Sequence, residues 1–139
     1  MTPTPSIRVA TADDLDALAA LDSHLRAEVL REKIAAGQVL VAALPSGVLG
    51  WLRWGLFWDE IPFMNMLVVL EHARGRGLGG ALVAAWEQQA REAGFGAVMT
   101  STQSDESAQG LYRRRGYRDC GVLLLPGDPA EVFFRKELA

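Results

Sequence analysis

The chain has one cysteine, two histidines, no long apolar run and no marked excess of either charge. Each shortage removes a class of function. The lone Cys120 leaves nothing to pair into a disulfide framework and no cysteine cluster for a metal, and it suits a reducing compartment. His24 and His72 are too isolated to argue for a metal site. A net charge of −3 gives no overall attraction to nucleic acid, so any anion site has to be local. No apolar stretch approaches the roughly 20 residues of a membrane span. The start, Met1-Thr2-Pro3-Thr4-Pro5, lacks the basic stretch and apolar core of a signal peptide. The expectation is a soluble cytoplasmic protein with neither membrane nor nucleic acid as partner. What is present, 139 residues of which 50% are hydrophobic and 22% charged, is an ordinary globular balance, read as one domain over residues 1–139.

Periodicity and turn residues divide the chain. Ser6 to Ala10 reads as a first strand. Thr11-Ala12-Asp13-Asp14 reads as a helix start, with a threonine N-cap and acids in the first turn, continuing through Leu15, Leu18 and Leu21 and fraying near Ser23-His24. A second helix covers Ala27 to Ala36 and stops at Gly37. Strands at Gln38 to Leu44 and Val48 to Trp58 flank a Pro-Ser-Gly turn. Asp59-Glu60-Ile61-Pro62 breaks the pattern before a strand at Phe63 to Leu70. Leu78, Leu82, Ala85, Trp86, Ala90 and Ala93 then share one helical arc, with Glu87, Gln88, Arg91 and Glu92 opposite, and Gly94 ends it. Ala97 to Thr102 is a strand, Asp105 to Arg115 a helix closed by Gly116, and Tyr117 to Leu125 and Glu131 to Leu138 are strands around Pro126-Gly127-Asp128-Pro129. The order β-α-α-β-β-β-α-β-α-β-β implies an α/β (α+β) mixed sheet with helices packed on it.

Arg74-Gly75-Arg76-Gly77-Leu78-Gly79-Gly80 is the segment with the most chemistry. It lies between an apolar strand and a helix start, where backbone N–H groups and the positive helix end converge on one point, a seat for a phosphate-bearing ligand. Glycine permits the backbone to approach such a ligand closely. Gly75-x-Gly77-x-x-Gly80 satisfies the dinucleotide fingerprint in letters. That motif belongs on an early strand followed by further β-α units, whereas here at least three strands precede it and a hairpin ends the chain. A nucleoside-triphosphate loop needs Gly-Lys-Ser or Gly-Lys-Thr, which is absent.

A second motif follows in order: Asp105-Glu106-Ser107-Ala108-Gln109-Gly110-Leu111-Tyr112, then Gly116-Tyr117. Together the two motifs resemble the GNAT superfamily of acyl-CoA-dependent N-acetyltransferases. Its pyrophosphate loop, Arg/Gln-x-x-Gly-x-Gly/Ala, is matched by Arg74 to Gly79. Its later signature, Asn-x-x-Ala-x-x-Leu-Tyr, is matched from Asp105 to Tyr112, with aspartate in place of the common asparagine. The element order fits from Ile7 to Leu138. The resemblance implies the GNAT fold, a mixed, mostly antiparallel sheet of about seven strands with about four helices on both faces. It also implies acetyl-CoA as cofactor. Leu67, Val68 and Val69 would lie on the splayed central strand that pairs with the pantetheine arm. Arg74, Gly75, Arg76, Gly77, Leu78, Gly79 and Gly80 would hold the pyrophosphate, with Asp105, Ala108 and Tyr112 as further cofactor contacts. Asp105 also suits the N-cap of its helix.

Acetyl transfer to an amine needs an unprotonated nucleophile, a polarised thioester carbonyl and a proton for the departing thiolate. Tyr112 is the candidate acid, on the inward face beside Ala108 and Leu111, and the resemblance puts it near the CoA sulfur. The Val69 N–H is the candidate carbonyl donor. Glu60 is the candidate base. Asp59 lies beside it, Asn65 would only orient water, and Glu28 is an alternative in the region that borders the acceptor in this family. Alternation puts Trp54 and Trp58 on one strand face and Trp51 and Phe57 on the other, with Trp58 a candidate wall of the acceptor pocket. Arg113-Arg114-Arg115 reads as a solvated helix end, and Cys120 as packing. The expected function is transfer of acetyl to a primary amine of a small molecule, with a protein amine and a homodimer left open. The alternative is a non-catalytic acyl-CoA-binding or sensing module of the same fold.

Overall fold

The computed structural model describes residues 3–139; Met1 and Thr2, part of the start read above, lie outside the described residues. The elements follow the expected order. Strand β1 is Ser6–Val9, followed by a 3-10 turn at Ala12–Asp14, α1 at Leu15–Leu21 and α2 at Ala27–Ala35. Strands β2 (Val39–Leu44), β3 (Gly47–Phe57) and β4 (Ile61–Val69) come next, then a 3-10 turn at Glu71–Ala73 and helix α3 (Leu78–Glu92). Strand β5 (Ala97–Gln103), helix α4 (Ala108–Arg114), β6 (Arg118–Leu123) and β7 (Glu131–Glu137) complete the chain. The seven strands hydrogen-bond in the order β1-β2-β3-β4-β5-β7-β6. The β4–β5 pair is parallel, and the β1–β2, β2–β3, β5–β7 and β6–β7 pairs are antiparallel. Among the described residues no helix is long and apolar enough to cross a membrane.

The chain divides into two compact units, one comprising the chain up to Gly55 together with Met66–Trp86, the other Leu56–Asn65 with Glu87–Ala139. The core of the first forms because apolar residues recur at helical spacing in α1 and α2 and fill both faces of β2. Leu18, Leu30, Val39 and Val41 are fully buried and pack with Ile34 and Trp51. Removing such a side chain, as in Leu30→Ala, costs about 2–5 kcal/mol. The entry to α1 is tied locally: the Thr11 N–H donates to Asp14, and Arg8 grips both oxygens of that carboxylate. In the second unit Phe134, Val98 and Thr100 are the innermost groups. Tyr112 and Tyr117 stack obliquely there, and Tyr112 also meets Phe134.

Several boundaries differ from expectation for identifiable reasons. Strand β4 begins at Ile61 rather than Phe63, and only Trp58 to Glu60 lie outside the strands. Trp58 and Asp59 both adopt positive φ, 53° and 62°, and Glu60 N–H closes onto Phe57 O. Positive φ at both central residues marks the tight hairpin turn that matches strand twist, so β4 resumes at once and absorbs Pro62. Helix α4 starts at Ala108 with Ser107 as N-cap, so Asp105 is not the cap. The backbone first turns back through Glu106 N–H to Gln103 O, and the Gln109 amide donates to the Ser104 and Glu106 carbonyls, holding Asp105 in the turn. Strand β6 stops at Leu123, two residues short of the expected end.

Candidate functional site

In the first unit the glycine segment is built as a backbone cradle. After β4 the Glu71–Ala73 turn tucks in Ala73, which is 1% exposed, so the small side chain there is a packing requirement. Gly75 and Gly77 take φ of +80° and +77°, the left-handed region that costs other residues about 1–2 kcal/mol. Helix α3 starts at Leu78, and the bond from Ala81 N–H to Gly77 O opens its ladder. The N–H groups of Leu78, Gly79 and Gly80 precede that bond, and they sit where the helix dipole is positive. A Cβ placed at Gly75, Gly77 or Gly80 meets nothing within 4 Å. Internal packing does not demand glycine at these positions; at Gly75 and Gly77 the left-handed backbone does. Together these features fit a pyrophosphate.

The end of β4 is shaped beside this turn. Leu70 N–H donates to Leu49 O on β3, so by strand alternation the Val69 N–H and C=O point away from β3. The Arg74 guanidinium donates to Val69 O at 3.0 Å, pinning the strand end to the first residue of the loop. Val68 packs on the α1–α2 core, and Val69 Cγ2 lies 3.8 Å from a Cβ position at Gly79. Of the residues read from sequence, Leu67, Val68, Val69 and Arg74 to Gly80 are therefore one local assembly. Glu28, in the first turn of α2, is exposed and 3.9 Å from Arg26.

The other expected residues lie in the second unit. Pairing of β4 with β5 is recorded at Phe63↔Met99 and Met64↔Thr100, and β4 continues to Val69. At that last pair the Thr100 hydroxyl donates to Met64 O. Tyr112 is 4% exposed; burial pushes its pKa up, partly offset by the nearby Thr100 hydroxyl, so the phenol holds its proton at neutral pH. Ala108 begins the same helix and Asp105 is exposed in the preceding turn. Glu60 is exposed in the β3–β4 turn. Trp58, in the same turn, is 79% exposed and lies 4.8 Å from the Phe57 ring. Cys120 is exposed on β6 rather than packed in the core, and desolvation raises its thiol pKa. The arginine run is only partly solvated: Arg113 makes two bonds to Asp119, and Arg115 reaches the buried Glu87.

Sequence reasoning missed three supports. Gly50 is one: a Cβ there would meet Val68 O at 2.7 Å and Val69 Cα at 3.3 Å, so glycine is required where β3 backs the end of β4. A glycine inside an apolar strand is the usual signal of such an approach. Asp22 is the second, buried and bonded to Arg53 and Trp51. Burial alone would raise its pKa, but Arg53, the His24 N–H and Trp51 hold it below the ordinary carboxylate value. Glu87 is the third, accepting from Tyr117, Arg115 and Lys136. Its burial is likewise outweighed, by hydrogen bonds from Lys136 and Tyr117 and the charges of Arg115 and Lys136, and its pKa is lowered.

A family model described as the acetyltransferase (GNAT) domain matches residues 35–119, a span that runs from the end of α2 to the start of β6 and includes the glycine turn and α4. The chain belongs to the GNAT acetyltransferase family. Over 76 residues it is 38% identical to a blasticidin-S acetyltransferase of Streptomyces morookaense, a stretch covering 54% of this chain. The match spans about half, 52%, of that curated relative. Among solved structures, the ribosomal-protein-alanine N-acetyltransferase of Brucella melitensis is 26% identical with a TM-score of 0.81, covering 96% of this chain and 99% of that one. The N-acetylglutamate synthase of Neisseria gonorrhoeae, solved with coenzyme A and N-acetyl-glutamate, shares the fold at a TM-score of 0.80 and 19% identity. It covers all of this chain and 36% of its own. The seven-stranded mixed sheet with four α-helices is the GNAT fold.

Proposed function

We propose that the chain is an acetyl-CoA-dependent N-acetyltransferase that passes acetyl directly to a primary amine. The observation that carries this reading is the cradle at Gly75 to Gly80. It combines two left-handed glycines, open space where side chains would be, and the leading N–H groups of a 15-residue helix. In the family to which the chain belongs, such a seat implies a CoA pyrophosphate. Bound acetyl-CoA supplies a thioester whose carbonyl carbon accepts the amine.

The chain's own residues take the following parts. Arg74, Gly75, Arg76, Gly77, Leu78, Gly79 and Gly80 hold the pyrophosphate. Leu67 and Val68 flank the pantetheine arm, and the Val69 N–H donates to the carbonyl. Tyr112, a protonated phenol, donates to the leaving sulfur, with Ala108 and Asp105 bordering the cofactor. Glu60 takes the proton of the amine, Trp58 walls the acceptor, and Glu28 borders it. Residues 1–139 act as one domain, in the cytoplasm, on a small-molecule amine. Named relatives include a blasticidin-S acetyltransferase and a ribosomal-protein-alanine N-acetyltransferase, so a protein amine belongs in the acceptor panel; sedimentation of the chain distinguishes a homodimer from a monomer.

Thiol release from acetyl-CoA over that panel tests the reading. Release with at least one amine, abolished in Gly77→Val, is the expected result. Binding of acetyl-CoA without transfer to any amine would make the chain a non-catalytic acyl-CoA sensor instead.

A further inference from the structure

Trp58 is one wall of a groove in the second unit with a volume of about 580 Å³, lined among others by Phe57, Met99, Leu123, Phe133 and Arg135. That volume lies within the 300–1,000 Å³ or so of small-molecule sites, which are apolar with a few placed polar groups. Phe57 and Phe63 stack at 5.8 Å with planes 23° apart, and Phe133 stands 5.8 Å from Phe63. These rings are an aromatic bed, and Trp58 rises from a backbone that is left-handed at two successive non-glycine residues.

The charge on this face is specific. Alternation along β7 puts Glu131, Phe133 and Arg135 on one side. Arg135 is engaged by Glu137 at 2.7 Å. Glu131 pairs in register with Leu123, a groove residue, on one flank and Gln103 on the other. Its Oε2 accepts from Ser101 Oγ at 2.7 Å, which fixes the carboxylate beside Phe133. Among the described residues no lysine, arginine or histidine forms an ion pair with it. A half-buried carboxylate beside aromatic faces attracts a cation twice, by its own charge and by the ring quadrupoles.

We propose that this groove is the acceptor subsite and that it takes an arylalkyl primary amine. The ammonium sits on Glu131, held in place by Ser101, and the flat apolar body lies over Phe57, Phe63 and Phe133 against Trp58. The inference rests on the acetyltransferase reading for its role, but binding is measurable without acetyl-CoA.

The test is calorimetric titration of the full chain with 2-phenylethylamine, ethylamine, which lacks the ring, and 2-phenylethanol, which lacks the charge. The expected result is that 2-phenylethylamine binds at least about tenfold tighter than either comparator, a difference of about 1.4 kcal/mol. Glu131→Gln should lower it to the level of 2-phenylethanol with an unchanged unfolding midpoint, and Phe133→Leu should weaken both ring compounds alike. Equal binding of the two amines, no binding, or indifference to Glu131→Gln overturns the proposal. So does a concentration-dependent mass showing that a second copy fills the groove while the amine does not bind. Amine binding without thiol release would keep the subsite and remove the acetyltransferase reading. Transfer to ethylamine as fast as to 2-phenylethylamine, in wild type and Glu131→Gln alike, would do the reverse.

Discussion

The glycine turn and the β5–β7 groove, the proposed donor and acceptor sites, are built by opposite means. The turn is contiguous chain: strand end, two left-handed glycines and a helix start, presenting backbone N–H groups beside the side chains of Arg74 and Arg76. The groove is assembled from β3, β5, β6 and β7 and presents side chains, mostly aromatic and aliphatic, with Glu131 on its face. Backbone donors read a feature shared by every ligand of one kind, in the proposed reading phosphate oxygens. Side chains read what differs between ligands.

The groove depends most heavily on the support behind β7. Glu87 binds Lys136 and Tyr117, and Lys136 neighbours the groove residue Arg135 along that strand. Glu87→Ala should cost about 3 kcal/mol, because it leaves two half-buried cations and a buried phenol without their carboxylate. Chemical unfolding measures the loss, and amine binding at the groove should weaken with it. Acid should do the same more gradually. Glu87 and Asp22 both have lowered folded pKa values, so their stabilisation is complete above the ordinary carboxylate pKa of about 4. It is lost as pH falls through the lower folded values. The unfolding midpoint should therefore be flat from neutral to mildly acidic pH and fall steeply only below that range.

Tyr112→Phe sharpens the comparison at the chemical step. Turnover should drop by about 10²-fold, the lower end of what a positioned acid supplies, while acetyl-CoA affinity is unchanged in titration. Unchanged turnover would leave Tyr112 as core packing against Tyr117 and Phe134. The smallest effect is at the hairpin. Asp59→Gly should stabilise the protein by about 1 kcal/mol by relieving a left-handed aspartate, with amine affinity preserved because Trp58 is untouched. A lower unfolding midpoint would show that the turn holds no strain.

The turn was legible in the sequence because everything that makes it lies within a few residues, and the α3 period that anchors it recurs every turn of helix. Boundaries were lost where an unusual residue did a familiar job. Trp58-Asp59 forms a hairpin turn that sequence signals assign to Asn-Gly or Asp-Gly, so the start of β4 was placed too late. The N-cap position of α4 falls at Ser107 rather than Asp105, where the Gln109 amide holds the preceding carbonyls in a turn. The groove was illegible for a deeper reason. Ser101 and Glu131 meet because β7 inserts between β5 and β6, a register that no local pattern encodes. Of the groove only Trp58 could be named in advance, from its place at a strand end.

Calorimetric titration of acetyl-CoA into wild type and Gly77→Val tests most directly whether the glycine turn is a pyrophosphate seat. A Cβ at position 77 meets no protein atom within 4 Å, so the variant should fold with only the strain of a left-handed valine. It should nonetheless lose at least about 100-fold in affinity, the equivalent of one or two charge-assisted backbone bonds at about 1.5–3 kcal/mol each. Equal affinity in a variant shown by circular dichroism to be folded would contradict the account.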